Sequence, residues 1–125
     1  MSRYAAAHAS PEGPGDARPT ALQIIEDEGL TGRLTDQVHL ITGVSSGIGI
    51  ETLRALYSTG AHVIGTVRNM EKGQKVVEEI ERETPSKGKI SLVLMDNTSL
   101  KSVREGAAAI KNLTDKLNIA VFNAG

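Results

Sequence analysis

The sequence predicts an α/β protein built on a doubly wound parallel sheet, and three observations predict it. Short apolar runs alternate with amphipathic stretches of helical period along most of the chain. The connections between them are short, the stretch 84–89 apart. A glycine-rich turn at Gly43, Gly47 and Gly49 stands between the first apolar run and the first long amphipathic stretch. Runs of this length suit parallel strands covered on both faces. Right-handed crossovers then wind such strands into one open sheet with helices on each side.

Residues 1–20 hold three of the four prolines, Pro11, Pro14 and Pro19, among Ala, Gly and Ser, and are expected to form a flexible tail. Residues 21–33 read as a short helix carrying Leu22, Ile24 and Ile25, followed by a linker loosened by Gly29 and Gly32. The ordered domain is expected over 34–125. Val38 to Ile41 is its first strand, and Ser46 to Ser58 the helix after the turn, with Ile48, Leu53 and Leu56 near helical spacing and Gly60 as its stop. His62 to Val67 is the second strand. Asn69 is placed to cap the next helix, with Glu71 in its first turn where the helix dipole favours an anion. Met70, Val76, Val77 and Ile80 form its apolar stripe, and Pro85 with Gly88 closes it. Ile90 to Met95 is the third strand. Thr98 or Ser99 caps a helix striped by Leu100, Val103, Ala107 and Ile110, and Leu117 to Phe122 is the fourth strand, directly before Asn123-Ala124-Gly125.

Composition narrows the function. The 14 basic and 15 acidic side chains give a net charge of −1, a near-balance that argues against nucleic acid or an anionic membrane as the main partner. There is no cysteine, hence no disulfide framework and no thiolate metal site. No run approaches the roughly 18 apolar residues of a membrane span. Residues 1–20 lack the apolar centre of a secretory signal, and Arg3 and Arg18 are few for a mitochondrial presequence. A cytoplasmic location is the expectation. No cluster of His, Asp or Glu has metal-ligand spacing, so no metal is expected. His39 and His62 lie within strands and read as packing or edge residues.

The glycine turn carries the chemistry. Gly43 can take backbone angles denied to other residues, so the strand ends in a sharp turn. Gly47 and Gly49 remove side chains where a phosphate and a neighbouring strand approach closely, and Ser45 and Ser46 add hydroxyl donors beside the free N–H groups of the following helix. Strand, turn and helix in this order are the context a dinucleotide-binding, Rossmann-type turn requires. A nucleoside-triphosphate loop needs Gly-Lys-Ser/Thr at the helix start, whereas this chain has Gly47-Ile48-Gly49 and no lysine between Leu34 and Glu71. A methyl-donor site usually wants an acid ending the second strand, where Val67-Arg68 stands.

Thr42-Gly43-Val44-Ser45-Ser46-Gly47-Ile48-Gly49 resembles the cofactor fingerprint of the short-chain dehydrogenase/reductase family, Thr-Gly-x-x-x-Gly-Ile-Gly. Arg68 after the second strand, Asp96 after the third and Phe122-Asn123-Ala124-Gly125 after the fourth support the resemblance; Phe122 replaces the first Asn of the family's Asn-Asn-Ala-Gly. The segments Arg68 to Gly73 and Asp96 to Leu100 look most like the retinol-dehydrogenase-like and WW-domain-oxidoreductase-like branch.

The resemblance implies that Thr42, Gly43, Ser45, Ser46, Gly47, Ile48 and Gly49 hold the pyrophosphate end of a nicotinamide dinucleotide. Arg68 with Asn69 would lie at the adenosine ribose. Asp96 looks like the family's adenine-binding aspartate, with Asn97 alongside, and the competing reading makes Asp96 a loop or cap residue. Asn123, with Ala124 and Gly125, resembles the segment that ties the central strands and lines the ribose. An acid at the end of the second strand would bind a ribose 2′-hydroxyl and repel a 2′-phosphate, while a guanidinium can clamp that phosphate. NADP(H) is therefore expected over NAD(H); an ordinary solvated arginine is the competing reading of Arg68, and Lys72 reads as a surface charge.

The family reaction is hydride transfer to or from a carbonyl or alcohol, and it uses a Tyr-x-x-x-Lys arrangement. Only Tyr4 and Tyr57 are present, with His8 and Ala61 four residues on, so no catalytic residue is assigned. The expectation is thus an NADP-dependent oxidoreductase whose sheet is truncated after the fourth strand, inactive as it stands, acting when full-length on a small carbonyl or alcohol substrate, with homo-oligomerisation of that form left open. The alternative is a non-catalytic dinucleotide-binding or sheet-completing module.

Overall fold

The computed structural model describes residues 3–123. Four strands, β1 (Val38–Thr42), β2 (His62–Val67), β3 (Lys89–Leu94) and β4 (Ile119–Val121), form one parallel sheet in the order β3-β2-β1-β4. Four helices accompany them: α1 (Ala21–Asp27), α2 (Ile48–Ser58), α3 (Met70–Glu83) and α4 (Leu100–Leu113). This is the α/β Rossmann-type architecture. Helices stand on both faces of the sheet, burying the central strands β1 and β2 as the apolar runs require, whereas β3 is half-buried and β4 largely exposed.

Strand alternation decides which helix covers which face. Ile41 of β1 and Val63 and Val67 of β2 pack with Val44, with Leu53 and Tyr57 of α2 and with Ile80 of α3. Val38 and Leu40, one residue out of phase, meet Ile64, Val93 and the Ala109–Ile110 side of α4. Burying side chains of this size contributes about 1.5–3 kcal/mol each, and Ile41, Leu53, Ile64 and Ile80 are fully buried. The chain runs outward from β1 to β2 to β3 with helices on one face, then crosses back under the sheet through α4 to reach β4 beside β1. That reversal opens a crevice at the carboxyl ends of the strands.

Local signals act as the residue types dictate. Asn69 Oδ1 accepts the Lys72 N–H at 3.1 Å and caps α3. Ser99 caps α4, its Oγ accepting the Ser102 N–H at 3.2 Å. Gly60 (φ +85°) ends the turn after α2. The carbonyls at the end of α2 are satisfied from outside it: Ser86 Oγ donates to Tyr57 O, Gly32 N–H to Ser58 O and Leu34 N–H to Thr59 O. Upstream, Arg3 donates to Asp27 O at 2.8 Å and Tyr4 OH to Asp27 Oδ2 at 2.9 Å.

Several details differ from the sequence expectation. Strand β3 runs Lys89–Leu94 rather than Ile90 to Met95, β4 is only Ile119–Val121 rather than Leu117 to Phe122, and Met70, the first residue of α3, is exposed rather than part of its apolar stripe. Helix α2 begins at Ile48 rather than Ser46, because the turn continues through Gly47, whose positive φ (φ +62°, ψ −138°) is not helical. As the first residue of that helix, Ile48 is 78% exposed rather than part of the apolar stripe. The buried position of α4 is Gly106, and Leu100 and Ala107 face outward. Gly106 lies so close to Met95 that an added Cβ would meet the Met95 Cε at 2.5 Å; a small residue, not a large apolar one, makes that contact.

Candidate functional site

A cavity of about 470 Å³ opens at the carboxyl ends of the strands. Its walls come from four consecutive strand ends: Gly43, Ser45 and Ser46 after β1; Thr66, Val67 and Arg68 at the end of β2; Met95 to Thr98 after β3; and Asn123 after β4.

The glycine turn is held from below by β2. Thr66 O accepts the N–H groups of Gly43 (3.2 Å) and Val44 (3.1 Å), and the Val44 side chain is fully buried beneath the turn. Asn123 Nδ2 donates to Gly43 O at 3.1 Å, tying the end of β4 to the same turn. Gly49 packs directly under it: a Cβ there would stand 2.1 Å from Gly43 O and 2.9 Å from Asn123 Nδ2. Gly47 meets no such neighbour, and its requirement for glycine is the positive φ alone.

Helix α2 differs from the other three in its N-terminus. Thr20, Asn69 and Ser99 each cap a helix through a side chain, while the cap residue of α2 is Gly47, with no side chain to offer. The first N–H groups of α2 therefore lie open beside the turn, with the positive end of the helix dipole.

On the opposite wall the loop after β3 is rigidly braced. Met95 N–H donates to Val67 O at 2.8 Å, and Asp96 N–H to Ser102 Oγ at 2.8 Å. Asp96 Oδ1 accepts the Thr98 N–H (3.0 Å) and Thr98 O–H (2.7 Å). Those bonds to Thr98 hold the Asp96 carboxyl below the usual carboxylate range, and the Arg68 guanidinium adds to the effect. Arg68 itself is exposed and makes no hydrogen bond or ion pair among the described residues.

Of the residues singled out from sequence, the fold brings Gly43, Ser45, Ser46, Arg68, Asp96, Asn97 and Asn123 to one cavity. Thr42 is buried as the last residue of β1, opposite Thr66; Gly47, Ile48 and Gly49 form the base and start of α2; Asn69 caps α3. Ala124 and Gly125 lie outside the described residues. Thr66 and Met95 line the cavity unannounced by any motif, and Thr98, read from sequence only as a cap candidate, lines it too. Neither tyrosine lines it: Tyr57 is buried in α2, its hydroxyl pKa pushed up first by burial and then by Glu81. His39 Nε2 pairs with Gln37 Oε1 at 2.8 Å and His62 Nε2 with Ser91 Oγ at 2.8 Å, both away from the cavity. Among the described residues no three His, Cys, Asp or Glu side chains converge as a metal site, and no helix is long and apolar enough to cross a membrane.

The parallel sheet with its reversal beside β1 and a glycine turn at that point defines a Rossmann-type α/β protein. The short chain dehydrogenase family profile matches residues 37–125, and the chain belongs to that family. It is 43% identical over 128 aligned positions to oxidoreductase calI of Penicillium decumbens, matching 100% of this chain and 37% of that protein. It is 38% identical over 109 positions to the WW domain-containing oxidoreductase of Gallus gallus, covering 87% of this chain and 25% of that one. Among solved structures, a metagenomic short-chain oxidoreductase in complex with NADP superposes with a TM-score of 0.63 at 31% identity, over 71% of this chain and 39% of that one. The chain thus spans between a quarter and two-fifths of the length of these relatives.

Proposed function

We propose that this chain is the NADP(H)-binding portion of an oxidoreductase that transfers hydride between the nicotinamide ring and a small carbonyl or alcohol substrate. The observation that carries the reading is the pairing, across one cavity, of the glycine turn (Gly43, Ser45, Ser46), which leads into an uncapped helix start, with an unpartnered guanidinium. The residues fit a dinucleotide. The Gly49 position tolerates no Cβ, and Gly47, at positive φ, leaves the start of α2 without a side-chain cap beside the cavity-lining Ser45 and Ser46. Family membership and the NADP complex of the metagenomic relative support the same reading.

Each residue has a definite task in it. Ser45, Ser46 and the first N–H groups of α2 bind the pyrophosphate; Gly43 and Gly49 keep backbone and helix close enough for them to reach it. Asp96, ionised and fixed by Thr98, accepts from the adenine amino group, with Asn97 beside it. Asn123 holds the turn through Gly43 O and borders the ribose. Thr42 and Asn69 act from behind, ending β1 and starting α3. Arg68 clamps the 2′-phosphate by charge-assisted hydrogen bonds, and no acid stands at the end of β2 to prefer a bare 2′-hydroxyl. The chemistry supplied by the bound group is hydride donation or acceptance at its nicotinamide; this chain orients that group and excludes water from its adenosine half.

Titration of NADPH and NADH against wild type and Arg68→Ala tests the reading. Wild type binds NADPH more tightly than NADH, and Arg68→Ala loses at least tenfold for NADPH with little change for NADH. Equal losses for both, or no binding by folded wild type, contradict it.

A further inference from the structure

Thr66 sits one residue from the end of β2, is 3% exposed and forms part of the cavity wall. Its carbonyl oxygen is shared by two amide protons, those of Gly43 at 3.2 Å and Val44 at 3.1 Å. Both contacts are longer than the usual N–H···O distance of about 2.9–3.0 Å. The Gly43 N–H is correspondingly divided, for it also reaches Thr66 Oγ1 at 3.2 Å. An amide N–H only donates, so the hydroxyl serves as acceptor in that contact and keeps its own proton. Among the described residues no acceptor takes that proton. The Gly43 contact occupies one side of the hydroxyl, and the cavity that Thr66 lines offers its proton a place to meet an acceptor. A donor held in a nearly buried wall is costly unless an acceptor meets it there.

We propose that Thr66 is a ligand-binding residue of this site: its hydroxyl, oriented by the Gly43 N–H, donates a hydrogen bond to an acceptor oxygen on the adenosine side of the bound dinucleotide. That oxygen belongs to the ribose or to the phosphate the ribose carries. Thr66 stands between the glycine turn and Arg68, which is the stretch of wall the adenosine ribose spans in the reading above, and the inference rests on that reading. One side chain thereby couples the shape of the turn to recognition of the ligand.

Calorimetric titration of NADPH and of NADH against wild type, Thr66→Val and Thr66→Ser is the test. Thr66→Val keeps the branched shape and removes the hydroxyl; Thr66→Ser keeps the hydroxyl. Thr66→Val weakens binding about tenfold and Thr66→Ser stays within about threefold of wild type. A loss shared by both dinucleotides assigns the acceptor to the ribose, and a loss confined to NADPH assigns it to the 2′-phosphate. Circular dichroism checks folding, and if Thr66→Val does not fold, Thr66→Ala against Thr66→Ser isolates the same hydroxyl. Wild-type binding of both ligands by the hydroxyl-free variant overturns the role of Thr66 while leaving the dinucleotide reading intact. Wild type that binds neither dinucleotide overturns both.

Discussion

Gly49→Ala is the sharpest structural perturbation of the site. The new Cβ would stand 2.1 Å from Gly43 O, 3.2 Å from Gly43 C and 2.9 Å from Asn123 Nδ2. An ordinary carbon–oxygen contact is about 3.3 Å, so α2 and the turn must part by roughly 1 Å. The atoms in the way are backbone, which has nowhere cheap to go. Overpacking of this kind costs about 1–3 kcal/mol, and loss of the Asn123–Gly43 hydrogen bond adds about 1 kcal/mol. The better helix propensity of alanine returns up to about 1 kcal/mol. The net expectation is a destabilisation of about 1–3 kcal/mol in urea unfolding, with NADPH affinity falling at least tenfold because the turn has moved off the helix start. Gly47→Ala is the control: no atom lies within 4 Å of its Cβ, but φ is +62°. Its cost of about 1–3 kcal/mol is therefore backbone strain alone. Gly49→Ala with wild-type stability and wild-type NADPH affinity would refute the close-packing argument.

Two further predictions concern the scaffold. Asn69→Ala removes the side-chain cap of α3 and lowers stability by about 1 kcal/mol, read as a shift of the denaturation midpoint at unchanged m-value; no shift would mean that the Lys72 N–H finds an equal partner in water. The second is a pH dependence. Burial lowers the pKa of His39, and burial followed by Lys89 lowers that of His62. Their unfolded values lie near about 6.5, so the unfolded chain binds protons first as pH falls. Their contribution is fully present above that value and is lost progressively as pH drops below it toward the depressed folded values. His39→Leu reduces the slope of stability against pH on that acid limb, measured by urea unfolding between about pH 5 and 8; an unchanged slope would contradict the assignment to His39.

The elements were legible because their signals are local. Alternating runs, a capping Asn69 and a terminal Gly60 each act within a few residues of themselves. The faces of α4 were harder, because its contact with the sheet is made by Gly106 against Met95, and a glycine carries no apolar signal. Ile48 and Leu100 read as core from their type alone, yet as first residues of helices they project beyond the sheet and are 78% and 76% exposed. The residues written as motif, Gly43, Ser45, Ser46, Arg68, Asp96, Asn97 and Asn123, meet at one cavity, and the family resemblance picked out those positions because they recur at fixed places after the strands. Thr66 could not be picked out that way. A threonine in a strand is ordinary by propensity, and its place in the wall depends on the β1–β2 register that pairs it with Thr42. Met95 and Thr98 enter for the same reason, through pairing and loop bracing rather than residue type.

In the proposed function a nicotinamide dinucleotide lies across the carboxyl ends of this sheet. Backbone amide chemical shifts of the labelled protein, recorded as NADPH is added, test it most directly. Saturable shifts are expected at Ser45 to Gly47, Thr66 to Arg68 and Asp96 to Thr98, with the open groove between α4 and β3 at Glu105, Asn112 and Leu113 unmoved. Shifts confined to that groove, or none at the glycine turn at saturating NADPH, would contradict it.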